Sequence, residues 1–180
     1  MQVILENIAV EKEFNKLLFD TILDRLDKIG INFHSIKFDV VNYSIFGASY
    51  LPHCEKALIF YSRDLFWYKK HPEVFQVISE AINYDFEELS EDRQLFVFNT
   101  FAFLHELGHI KWRQKMWANY KKISDKPITA KMLIDNHNKH EKIYKKLKIN
   151  HRDKIQERFC DRFASLVINE FMARGILKIF

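Results

Sequence analysis

The sequence predicts an α+β fold, with a small sheet near the amino terminus and helices after it. Two patterns predict this class: short segments rich in β-branched and aromatic residues between positions 35 and 62, and helical spacing of apolar residues from Arg63 onward. The 180 residues fit one domain and suffice to bury a core. With 48% hydrophobic and 15% aromatic residues, among them 17 Phe, the composition excludes a disordered chain and points to an aromatic core.

Taken in order, a first helix is expected over about residues 9–28, where Phe14, Leu17, Leu18, Ile22, Leu26 and Ile29 recur at helical spacing before Gly30 stops it. Three extended segments follow at 35–41, 43–51 and 56–62, separated by Asn42 and by a turn at Pro52-His53. Gly47, inside the second, marks a bulge or bend. Helices are then expected near 63–69, 72–84, 91–115, 128–147 and 152–173. No repeat, low-complexity tract or Gly/Pro/Ser-rich linker divides the chain. It reads as a single domain over 1–180 with a basic helical insert at about 116–150.

The pentapeptide His105-Glu106-Leu107-Gly108-His109 carries the chemistry. Residues at i and i+4 share a helix face, so His105 and His109 can offer ring nitrogens to one metal ion, with Glu106 beside it to act on a bound water. A catalytic zinc takes three protein ligands and keeps one position open, so a third ligand is required. Segment 156–164 reads as a second amphipathic helix in which Glu157 and Asp161 are again four apart. Glu157 is the expected third ligand. Asp161 is expected to accept the N–H of a ligand histidine, fixing its tautomer. The alternatives are core histidines, since Phe96, Val97, Phe98, Phe101, Phe103 and Leu104 precede the motif, and a solvated face at Glu157 and Asp161. Gly108 costs a helix about 1 kcal/mol against Ala, which implies close approach of another backbone or helix.

Cys54 and Cys160 are too few for a disulfide framework, and both are read as small packing residues, Cys160 being offset from the face of Glu157 and Asp161. No apolar run is long enough for a membrane span, and an amino terminus carrying Glu6, Glu11 and Glu13 does not read as a secretory signal. The expected location is cytoplasmic. Residues 111–154 hold 14 Lys and Arg against 4 Asp and Glu, a local net charge of +10, leaving −6 for the rest of a chain that totals +4. That asymmetry fits a solvated face or an acidic partner surface; nucleic acid is disfavoured, since aromatic residues beyond Trp112, Trp117 and Tyr120 are few there.

These residues resemble the gluzincin zinc metallopeptidases, and are most similar to the ImmA/IrrE group. The likeness lies in Gly47-Ala48-Ser49-Tyr50 with the apolar stretch 57–61, in Ala102-Phe103-Leu104-His105-Glu106-Leu107-Gly108-His109, and in 157–164. It implies a small twisted sheet packed on an active-site helix and a glutamate helix, with a sheet edge along the cleft where a protein substrate adds as a strand. It further implies a narrow target, such as a transcriptional repressor, and an origin in phages, mobile elements or bacterial stress responses. The chain departs from that pattern after Ala164, where Ser165-Leu166-Val167-Ile168-Asn169 replaces the family's Met-Pro ending, and in the long stretch between His109 and Glu157.

The expected function is therefore a zinc-dependent endopeptidase with one Zn²⁺ per chain and Glu106 as general base. His137, His140, Tyr144 and His151, between the two metal-binding helices, are candidates to stabilise the tetrahedral oxyanion, and His34 and His53 have weaker claims. The alternative is a metal-regulated protein- or nucleic-acid-binding module without catalysis.

Overall fold

In the computed structural model the described residues are 2–5, 35–41, 47–51, 56–62, 67–123, 129–150 and 154–175. The expected helix over 9–28, Gly30, His34, His53, Cys54 and His151 lie outside them. Strands β1 (Gln2–Leu5), β2 (Ser35–Val41), β3 (Gly47–Leu51) and β4 (Lys56–Ser62) form a sheet in the order β1-β2-β4-β3. β1 and β2, and β2 and β4, run parallel, while β3 pairs antiparallel with β4, Ala48 facing Ile59. β1 was not expected from the sequence, and of the second expected extended segment, 43–51, the described part is Gly47–Leu51, residues 43–46 lying outside the described residues.

The expected α+β class is nevertheless corrected. Residues 68–175, which hold the described core and the candidate site, are about 85% helical and contain no strand, so this part of the chain is all-helical. Its helices are α1 (Phe75–Ile82), α2 (Glu91–Ile123), α3 (Ala130–Lys146) and α4 (Ile155–Ala173), with short 3-10 turns at Trp67–Lys70 and Pro72–Val74 before α1 and at Phe86–Glu88 between α1 and α2. The reason is physical: the apolar faces of α2 and α4 are satisfied chiefly by one another and by α1, and β3 touches α2 from outside that stretch.

The pairing follows from spacing. On α2, Phe101, Leu104 and Leu107 are buried, and on α4 Cys160, Ala164, Val167, Ile168 and Phe171 are buried, three and four residues apart as one helix face requires. α1 adds Ile78, Ala81 and Ile82 against α4. At the start of α2 an aromatic nest closes the core: Tyr68 meets Phe86 edge to face at 6.2 Å and lies 5.6 Å from Phe98, while Phe75 lies 4.8 Å from Phe86.

The punctuation is local chemistry. Asn83, left-handed at φ 53°, ends α1 by donating its N–H to the Ser79 carbonyl. Asp85 caps the 3-10 turn by accepting from the Glu87 N–H at 3.0 Å. Thr129 caps α3, accepting from the Met132 N–H at 3.3 Å. Lys154, just before α4, pairs with Glu141 of α3 at 2.8 Å and sits 5.6 Å above the Tyr144 ring, tying the basic helix to the start of the glutamate helix. No described helix is long and apolar enough to cross a membrane.

Candidate metal centre

Gly108 decides how the site is assembled. A Cβ there would stand 2.9 Å from the Cα of Cys160 and 3.3 Å from its sulfur, so α2 and α4 meet more closely than a side chain at this position would permit. The crossing lies between the two histidines of α2 and opposite Glu157, Cys160 and Asp161 of α4. The expectation that this glycine permits a near neighbour is met by a named backbone atom.

Across that contact the polar groups converge. Oε2 of Glu157 lies 3.3 Å from Nε2 of His105 and 3.6 Å from Nε2 of His109. The two imidazoles stand edge to face, centroids 4.9 Å apart. His105 donates Nδ1–H to Oδ1 of Asp161 at 2.8 Å, and Nδ1 of His109 pairs with the side-chain amide of Gln156 at 2.7 Å. Glu157 is 8% exposed and Glu106 6%, so neither is the solvated acid that a surface helix would carry.

The ligand-capable atoms of His105, His109 and Cys160 also lie within 4.8 Å of one another, so these residues form a group that could hold a metal ion. Cys160 is buried in the core, as a packing residue is, and its sulfur also belongs to this group. The thiol is buried at the crossing, inside the cluster, and burial with the nearby charges of Glu157, Glu106 and Asp161 pushes its pKa strongly up.

Electrostatics tie the centre together. Burial opposes charge on His105, but hydrogen bonds to Asp161 and Glu157 and the field of Glu106 outweigh it and hold the imidazolium up to about 9. For Glu106, burial raises the carboxyl to about 7, with Glu157 adding to the rise while His105 and Arg113 oppose it. Arg113 extends the row of His105 and His109 by one turn; burial lowers its pKa and Glu106 opposes the change. The four-residue spacing made Arg113 visible in advance, yet it was passed over as part of the basic stretch.

No protein-family model, curated protein or solved structure matches this chain. The function must be read from the site itself.

Of the residues proposed to stabilise an oxyanion, His137 and His140 are exposed on α3, and Tyr144 is half-buried beside Lys154. No described hydrogen bond, ion pair or ring contact joins them to His105, His109 or Glu157. Gln156 was missed because it precedes the Glu157 face by one residue and its partner is set only by the helix crossing.

The titrations predict a pH dependence of the metal-free protein. His105 rises from 6.5 to about 9 on folding, so its contribution is complete below pH 6.5 and is lost as pH rises through 9. Glu106 rises from 4.5 to about 7, so the fold loses stability as the pH climbs between those values. Both effects have one sign: in chelator, the thermal midpoint is expected to be lower at pH 9 than at pH 6. A flat or rising midpoint between those pH values contradicts the assigned ion pairs.

Proposed function

We propose that the chain is a zinc-dependent peptidase in which His105, His109 and Glu157 hold the ion and Glu106 is the general base. The observation that carries this reading is the convergence of both Nε2 atoms on one Glu157 oxygen at 3.3 and 3.6 Å. Two ligand atoms on one tetrahedral zinc with bonds of about 2.0–2.1 Å stand roughly 3.3 Å apart, so the spacing fits a shared ion. The donor chemistry fits too, being borderline nitrogen with one hard oxygen. Asp161, bonded to the far nitrogen of His105, supports the same reading.

A zinc ion held there would supply Lewis acidity and lower the pKa of a bound water to roughly 7. The chain's own part is proton transfer and orientation. Glu106, buried next to the proposed ligand His105, is placed to accept a proton at its carboxylate and return it to a leaving amine. Asp161 keeps the Nδ1 proton on His105 so that Nε2 presents its lone pair. A protein substrate such as a cytoplasmic repressor and an acidic partner surface for residues 111–154 are parts of this proposal.

The position of Cys160 favours a second reading. Were its thiolate to join the two histidines and Glu157, four protein ligands would close the coordination sphere, as in structural zinc sites, and the chain would be a metal-regulated binding module. Cobalt separates the two. Cobalt-loaded protein with a sulfur ligand shows a thiolate charge-transfer band that Cys160→Ala removes, whereas the open site shows none.

The test of peptidase function compares new protein amino termini in a bacterial lysate after exposure to zinc-loaded wild type, to zinc-loaded Glu106→Gln and to chelated protein. Termini confined to the zinc-loaded wild type are the expected result. Identical sets in all three samples, with zinc bound, would count for the binding module.

A further inference from the structure

The two histidines are held by different chemistry on their far nitrogens. Asp161 is a carboxylate and can only accept when ionised, so it holds a proton on Nδ1 of His105 whether or not a metal is present. Gln156 is an amide with a donor end and an acceptor end of nearly equal size, and its nitrogen lies 2.7 Å from Nδ1 of His109. In that arrangement the amide N–H donates to Nδ1, the imidazole carries its proton on Nε2, and Nε2–H faces Glu157 at 3.6 Å. That tautomer cannot bind a metal through Nε2. Ligation requires the proton on Nδ1, where it would oppose the amide's own N–H. Among the described residues, no second hydrogen bond pins the Gln156 side chain, so either end is able to face the ring.

We propose that Gln156 sets the tautomer of His109 by turning its amide: the nitrogen end donates to Nδ1 in the metal-free protein, and the oxygen end accepts from Nδ1–H when Nε2 binds zinc. The proton leaves Nε2 and arrives on Nδ1 through solvent, so the ring stays neutral and His109 releases no net proton on loading. Gln156 is thus a positioning residue for the metal, acting through His109. It holds metal-free His109 in a non-ligating tautomer. The proposal rests on the metal reading of the site and not on peptide hydrolysis.

The experiment is ¹⁵N imidazole NMR of the full chain, with and without zinc, alongside zinc titration against a competing chelator. His109 is expected to change from the Nε2–H to the Nδ1–H tautomer on loading. Gln156→Glu, which offers only acceptors when ionised, is expected to protonate Nδ1 even without metal and to bind zinc at least as tightly as wild type. Gln156→Met, similar in size with no amide, is expected to bind roughly 10- to 100-fold more weakly, the usual cost of losing an outer partner. The Glu variant shows that position 156 tolerates change, and thermal melts of all three proteins separate weakened binding from unfolding. One tautomer in both states of the wild type, or equal zinc affinity in wild type and a folded Gln156→Met, overturns the proposal. Failure of the wild type to take up zinc sinks the proposed function, and the metal-free tautomers of wild type and Gln156→Glu still decide the role of Gln156.

Discussion

Glu157→Ala is expected to lower zinc affinity by more than about 100-fold, beyond the upper end of what removing an outer-shell partner costs. Oε2 of Glu157 approaches Nε2 of both histidines, and removing it takes the carboxylate out of the proposed ligand set. It also strips His105 of one of the two acceptors that sustain its charge, so the metal-free variant should lose part of the high-pH dependence of wild type. Glu157→Gln serves as control, because it keeps the size and one acceptor while losing the charge. Elemental analysis of purified protein should give one zinc per chain for wild type and for Glu106→Gln, and much less for Glu157→Ala. Full occupancy in a folded Glu157→Ala under competition would transfer the third-ligand role to Cys160, whose sulfur lies in the same cluster.

Gly108→Val is expected to cost about 3 kcal/mol, the upper part of the range for overpacking, which is a fall in thermal midpoint of roughly 6–12 °C for a chain of this size. Backbone, not a movable side chain, occupies the space a Cβ would need: the Cα of Cys160 is 2.9 Å away. α2 and α4 must therefore separate. The larger consequence is functional, since the same crossing sets the distances from Glu157 to the histidines, and zinc affinity should fall together with stability. In Gly108→Ala, relief of the helix penalty for glycine, about 1 kcal/mol, offsets part of the clash. A Gly108→Val protein that melts and binds zinc like wild type would mean that the helices do not meet here.

Much of the centre was legible because helical periodicity is local. His105 and His109 one turn apart, and Glu157 and Asp161 one turn apart, define two faces without knowledge of the fold, and the structure brings those faces together with Asp161 on His105. The helices over 91–123 and 155–173 were equally legible from their apolar spacing, though α2 runs eight residues past the expected end at 115. The polar residues Arg113, Gln114 and Lys115 lie on a continuing helix, and charge alone marks no boundary when no Pro, Gly or cap interrupts the turn. The fold class was misjudged because β-rich composition near the amino terminus says nothing about what α2 and α4 bury. They bury one another.

The sequence by itself determined which side chains share a helix face, because the backbone repeat of about 3.6 residues settles that within a single element. It therefore named the two histidines and the three carboxylates Glu106, Glu157 and Asp161. Only the tertiary structure decided which groups meet across elements: Gln156 on His109, Cys160 at the cluster, Arg113 near Glu106, and His137 and His140 left exposed. Those pairings depend on where α2 and α4 cross, and the crossing depends on a missing Cβ at Gly108 that a periodic pattern could flag but not aim.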